Sequence, residues 1–290
     1  MADSKNKYGS KKRNSAFNTF WVYFFLVFGA FIMIVPLVWM VESSVKSKDQ
    51  FLMTQLSLLF PKNPHWENYT RRIWTMSPPL QRGIVNSLII SFSTIIVGSM
   101  VSALAAFSYA KLNFPGKSKL FMAELATMMI PFSIIMIPQF VIYAKIGWLN
   151  TWAPLIIPGM LGNVSMIFFL RQYMNGIPTS MIEAARIDGA GYLRIFWQVL
   201  MPNAKPAVAA QGILWFMGAW NDYFAPSIYL NSPEKLTVQV VISQLNAMYA
   251  IQTDYPLLLA ASVVALLPCL IIFMVFQKQI IASVAMTGLK

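Results

Sequence analysis

The stretch IVNSLIISFSTIIVGSMVSALAAFSYA, residues 84–110, holds no charged side chain and is long enough to carry an α-helix through the roughly 30 Å of hydrocarbon in a bilayer. Within it Gly98, Ser102, Ala106 and Ala110 recur at every fourth residue, a stripe of small side chains along one helix face where a second helix can approach closely. Working outward, five further apolar runs of comparable length appear at 17–41, 120–144, 152–170, 207–229 and 255–276. The run at 120–144 contains Pro131 and Pro138, each of which removes a backbone hydrogen bond, so a kinked helix bordering protein or water is expected there.

The whole composition points the same way. Of 290 residues 57% are hydrophobic and only 11% are charged, and the mean hydropathy is +0.59. Soluble domains carry about 25% charged residues, so this chain meets a solvent that tolerates apolar surface. The same figures exclude a disordered chain and a collagen-like repeat, and Cys269, the single cysteine, excludes an intrachain disulfide scaffold. The expected fold class is therefore an all-α polytopic membrane protein with six transmembrane helices, preceded by a basic tail at 1–16.

Lys5, Lys7, Lys11, Lys12 and Arg13 precede the first apolar run as they would in a signal peptide. The run is too long for one and lacks a small-x-small cleavage site, so it is read as an uncleaved first helix. Six spans put both termini on one side. With the termini cytoplasmic, 14 of the 22 Lys and Arg residues fall in inside segments, the bias that cytoplasmic loops carry. The net charge of +12 is thus read as an orientation signal, not as a nucleic-acid footprint.

Residues 171–206 form the longest inside segment. Ser180 and Glu183 have capping-box spacing for a short helix that Gly189 would stop in a left-handed conformation. A second short helix, Tyr192 to Leu200, carries Leu193, Phe196, Trp197 and Leu200 at helical spacing, and Pro202 and Pro206 then lead into the fifth span. Such a pair reads either as a docking surface for a soluble partner or as a connector lying on lipid headgroups.

Glu183-Ala184-Ala185, Asp188-Gly189-Ala190, Phe196, Val199, Pro202 and Pro206 together resemble the EAA loop of binding-protein-dependent ABC importer permeases. Asn86-Ser87, Ile130-Pro131, Ile137-Pro138, Gly147-Trp148-Leu149-Asn150-Thr151, Trp220-Asn221-Asp222 and the terminal Thr287-Gly288-Leu289-Lys290 extend the likeness to most of the chain and resemble the carbohydrate branch, in particular its MalG-type subunit. The resemblance implies the MetI-like permease fold and a division of labour. A second homologous permease, two cytoplasmic ATPase subunits and an extracytoplasmic solute-binding protein are the implied partners, beside membrane lipid and a sugar cargo. ATP and magnesium belong to the ATPase, with no cofactor on this chain, no enzymatic activity and no nucleic acid. The cell membrane of a prokaryote is the implied location. Glu183, Ala184, Ala185, Asp188, Gly189, Ala190 and Pro202 are the implied ATPase-coupling residues.

Polar groups inside a membrane are costly unless they meet water, cargo or one another. Trp220, Asn221, Asp222 and Tyr223, near Trp215, combine aromatic faces with hydrogen-bonding groups in the way a sugar requires, and are expected to line its path or, alternatively, to form a structural network at the interface. Asn163 and Gln139 are further candidates for the path. Thr237, Gln239, Gln244 and Asn246, in the segment from Leu230 to Asp254, lie where the related subunit reaches its binding protein.

Gly116-Lys117-Ser118 imitates the end of a phosphate-binding loop, but Lys111 stands where that loop needs its first glycine. With one histidine, His65, and one thiol, no metal or nucleophile constellation is expected. Two alternatives stand beside the sugar importer: an importer of glycerol phosphate or another polyol, and a secondary transporter working without ATP. The second should show paired intramembrane charges, whereas only Asp222 and Glu124 lie within spans.

Overall fold

The computed structural model describes residues 4–53, 60–248 and 253–287, and among these there are helices and no strands. The terminal Gly288-Leu289-Lys290 and the side chains of the basic tail lie outside the described residues. The helices are α1 (Ser4–Ser44), α2 (Lys48–Met53), α3 (Ile73–Thr75), α4 (Leu80–Lys111), α5 (Lys117–Thr127), α6 (Phe132–Lys145) and α7 (Ala153–Met160), followed by α8 (Val164–Asn175), α9 (Thr179–Ile187), α10 (Tyr192–Ile195), α11 (Met201–Trp220), α12 (Phe224–Tyr229), α13 (Val238–Met248) and α14 (Tyr255–Thr287). Single π-helical turns occupy Asn68–Arg72 and Phe196–Leu200. The chain divides into two compact units, residues 1–73 with 252–263 and residues 74–251 with 264–290.

Of the six expected spans, four are single stretches long and apolar enough to cross a membrane: Thr19–Ser44, Leu80–Lys111, Ala153–Asn175 and Tyr255–Lys278. The third expected span is a pair, α5 and α6, bent by 93°. Pro131 sits at the break as the residue before α6, while Pro138 stays inside α6, so one proline of the two breaks the helix. The fifth expected span, 207–229, is interrupted: α11 ends at Trp220, and α12 restarts at Phe224. Lys205 and Gln211 dilute the apolar character of α11, and the turn at Asn221–Tyr223 cuts it short of the expected length.

In the first unit, side chains of α1 from Phe20 to Val41 are largely exposed, an apolar surface suited to lipid or to a second membrane subunit. The Ser44 end of this helix is polar and fully packed. Glu42 and Lys46, both buried, form an ion pair at 2.8 Å. Buried Asn68 donates to the carbonyls of Ser44 at 2.8 Å and Lys46 at 3.1 Å, groups left without helical partners where the chain turns. Arg72 donates to Asn68 Oδ1 at 2.7 Å and pairs with Asp254, which in turn accepts from Leu257 N to cap α14. His65 joins this cluster, its Nδ1 lying 3.3 Å from Asn68 Oδ1.

The second unit is organised on α4, against which α7, α8, α11 and α13 pack. The small-residue stripe is where α7, α8 and α11 meet it, while α13 packs near Gly83. A Cβ at Gly98 would overlap both the carbonyl of Gly159 and the indole of Trp215, and one at Gly159 would strike Thr94. Ser102 Oγ donates to Gly98 O at 2.7 Å and accepts from Asn163 N at 2.8 Å, so a single hydroxyl ties α4 to the start of α8. Below it Ala103, Ala106 and Phe107 pack in one core with Met166, Leu170, Met174, Phe196 and Leu200.

Gly98→Val should therefore lower stability by roughly 1–3 kcal/mol through overpacking. Thermal unfolding in detergent would report this as a lower midpoint, with Gly29→Ala, a position with no neighbour within 4 Å, left unshifted.

Candidate functional site

The 176–206 loop begins where Lys111 Nζ, at the end of α4, donates to Ile177 O at 2.7 Å. Helix α9 starts at Thr179 with Pro178 in the cap position and no side-chain cap hydrogen bond, so the Ser180–Glu183 capping box is not formed: the helix begins two residues too early for it. Its stop is the expected one. Gly189 has φ of +77°, Ala190 N donates to Ala185 O at 2.9 Å and Gly189 N to Arg186 O at 3.0 Å, the paired bonds of a Schellman motif. The helix has two faces. Ile182 is buried in the core of Phe196, Leu200 and Ala204, with Ala185 and Ala190 half-buried beside it. Glu183, Ala184, Asp188 and Gly189 are exposed, as is Ile187 at 87%.

The second helix of the loop does not end before the fifth span. After α10, Met201 N bonds to Phe196 O across the π turn, and α11 continues with exposed Pro202 in its first turn and Pro206 inside it. The π turn lets the chain carry Pro202 without breaking, since proline lacks the N–H that a regular helix would direct at Gln198 O. Tyr192, Leu193 and Trp197 stay exposed on this run, while Ile195, Phe196 and Leu200 anchor it. Arg186 lies 5.4 Å from the Tyr192 ring centre and braces the two helices against each other.

Along α11, a cleft of about 660 Å³ opens between α4, α7, α8 and α11. Thr94, Gly159, Asn163, Ser165, Gln211, Trp215 and Asp222 are among its lining residues. Of the residues singled out in the sequence, Asp222 and Asn163 belong to it, each also closing a helix: Asp222 Oδ1 accepts from Ala225 N at 3.3 Å, and Asn163 Oδ1 caps α8 by accepting from Met166 N at 3.0 Å. Trp220 does not line it. It is wholly buried, stacked on Phe216 at 5.7 Å, with its Nε1 donating to Ala265 O at 3.0 Å, because it falls on the opposite face of α11. Asn221 and Tyr223 are exposed beside the cleft, and Gln139 is engaged by the Tyr229 hydroxyl at 3.2 Å. Gln211 was not singled out, although Gln211, Trp215, Gly218 and Asp222 repeat at helical spacing on one face.

The segment after α12 is held by two amide clips. Asn150, at φ of +56°, accepts from the backbone N–H of Asn231 at 3.1 Å and Ser232 at 2.9 Å, and donates to Ser232 Oγ at 2.7 Å. Asn86 donates to Glu234 O and Leu236 O at 2.9 and 2.8 Å, and Ser87 Oγ accepts from Val238 N at 2.9 Å, which starts α13. Thr237, buried in this clip, cannot serve as a surface contact, and Gln239 donates to Asn221 at 3.3 Å. Gln244 is half-buried and Asn246 exposed.

Comparison with known proteins bears on this arrangement. The family model described as binding-protein-dependent transport system inner membrane component matches residues 95–285. The diacetylchitobiose uptake system permease protein NgcG of Streptomyces coelicolor is 34% identical, over 90% of this chain and 85% of its own length. The arabinooligosaccharides transport system permease protein AraQ of Halalkalibacterium halodurans is 30% identical, over 91% and 93%. Among solved structures, a chain of a bacterial ABC transporter involved in the import of the acidic polysaccharide alginate superposes with a TM-score of 0.77 at 23% identity, over 96% of this chain and 98% of that one, and shares the fold.

Asn150→Ala should free two backbone N–H groups and force alanine into a left-handed conformation, costing about 2 kcal/mol or more. Amide hydrogen exchange at Asn231 and Ser232 would accelerate, and Asn150→Gly, which keeps the backbone but loses the bonds, should recover part of the thermal midpoint.

Proposed function

The chain belongs to the family of inner membrane components of binding-protein-dependent transport systems, and we propose that within such a system it passes a sugar or oligosaccharide across the membrane, driven by a partner ATPase. It is a multi-pass permease and not itself an enzyme. A second homologous permease and two ATPase subunits, which hold the ATP and magnesium, complete the assembly in this reading, with both termini on the cytoplasmic side beside the ATPase. The names of the two relatives described above, which specify arabinooligosaccharides and diacetylchitobiose, support the cargo class.

One observation carries the mechanism. The exposed face of α9 and the cleft are connected by packing: Ile182 seats α9 on Phe196 and Leu200, and the helical run from Tyr192 continues through α11 to Gln211, Trp215 and Gly218. Force applied to Glu183, Ala184, Ile187 and Asp188 is therefore delivered along α11 to the cleft wall. Glu183 can accept hydrogen bonds or pair with a basic group of the ATPase, while Ala185, Gly189 and Ala190 fix the shape of the helix and Pro202 the start of α11. Alternation of the cleft between two openings then follows from rigid movement of helices and not from chemistry on this chain. The binding protein meets the opposite side, where Gln244 and Asn246 are the accessible polar residues of α13. A carrier working without ATP would leave the exposed face of α9, with Glu183, Ile187 and Asp188, without a task.

Glu183→Arg and Gly189→Glu should each abolish ATPase stimulation by cargo-loaded binding protein in the reconstituted transporter while membrane insertion stays normal. Unchanged stimulation in both variants would overturn the coupling role of α9.

A further inference from the structure

The cleft is lined without a cation: its polar side chains include Thr94, Asn163, Ser165 and Gln211, its ionisable residue is Asp222, and its aromatic surface is Trp215. We infer that it is a saccharide subsite on this subunit and that it selects cargo by charge, admitting uncharged sugars and refusing uronic acids and sugar phosphates. The inference rests on the permease reading above and adds the charge of the cargo to it.

An anion entering a cleft walled by membrane helices loses water and needs a counter-charge, or it is excluded. None of the cleft's lining residues supplies one. Arg171, on α8 beyond Ser165, is committed elsewhere, its guanidinium 4.1 Å above the Phe121 ring and its Nε donating to Tyr109 O. Lys205, on α11, lies six residues before Gln211, about 9 Å along the helix. A carboxylate or phosphate in the cleft would instead face Asp222.

A neutral sugar finds complementary groups there. Its hydroxyls match amide and hydroxyl side chains that both donate and accept, and its CH face matches an indole. The indole is fixed in advance, because its outer edge fills the notch left by Gly98 and Gly159, where any Cβ would meet it or its surroundings. A platform already immobilised loses little freedom when cargo binds. Fold alone does not decide this property, since the alginate importer shares the fold and carries an acidic polysaccharide.

The test uses the complete permease–ATPase complex in lipid nanodiscs without binding protein, so that selection by that protein does not enter. Para-nitrophenyl glucoside and para-nitrophenyl glucuronide differ at C6 as CH₂OH against carboxylate, and both quench nearby tryptophan. Saturable quenching by the glucoside is expected, with the glucuronide binding at least about tenfold more weakly, Asp222→Asn narrowing that gap to about threefold or less, and Trp215→Phe removing most of the quench. Equal affinity for the two probes would overturn the charge filter and leave the transport path in place. Quenching unaffected by Trp215→Phe, or absent with both probes, together with wild-type uptake of the natural cargo by Trp215→Ala, would overturn both the filter and the path. Co-purification of the variants with the ATPase confirms that they have folded.

Discussion

The contact of α4 with α7 and α8 through Gly98, Gly159 and Ser102 is the constraint from which the second unit is built. In lipid the tails are as apolar as the helices, so helices do not associate merely to hide apolar surface; they need close fit and hydrogen bonds between them. Gly98 and Gly159 provide the fit, and Ser102, donating to Gly98 O and accepting from Asn163 N, provides the bond. Asn163 then caps α8 and sets its direction. Met166, Leu170 and Met174 follow from that direction into the core where Ile182 of α9 is seated. The position of the loop helix is thus a consequence of a contact several turns away.

Much of this was legible in the sequence, and the reasons differ by feature. Apolar run length located the spans and a four-residue period located the α4 interface, because both reflect properties that lipid imposes on each helix separately. The ordered residues from Glu183 to Pro206 located the loop, and Gly189 marked the end of α9 through a backbone conformation open to glycine and costly to others. What was not legible depended on neighbours. Trp220 and Trp215 have the same chemistry in sequence, yet one is buried against Ala265 and the other lines the cleft, since they lie on different faces of α11. Thr237 looked like surface and is buried by the Asn86–Ser87 clip, a contact between residues 150 positions apart.

The two ends of the second unit are built differently. Around α9 the anchoring is apolar: Ile182, Phe196 and Leu200 have no direction to their attraction, so the helix can shift slightly against its seat without losing a bond. Around residues 230–238 it is a set of directed hydrogen bonds from Asn150, Asn86 and Ser87. The first tolerates small displacements without loss of a bond, and the second fixes the form of its segment.

The π turn at Phe196–Leu200 has a consequence for helical phase. A turn closed over five residues contains one residue more than a regular one, and each residue of an α-helix advances the side-chain direction by about 100°. The azimuth of every α11 side chain, measured from the anchors Ile195 and Phe196, therefore includes that extra step. A deletion within the turn would remove that step and would swing Gln211, Trp215 and Gly218 out of the cleft by about a quarter revolution, bringing other residues to its wall. The sequence upstream of the prolines thus sets which face of a later helix looks into the cleft, and a local irregularity in winding acts as the index mark for the whole wall.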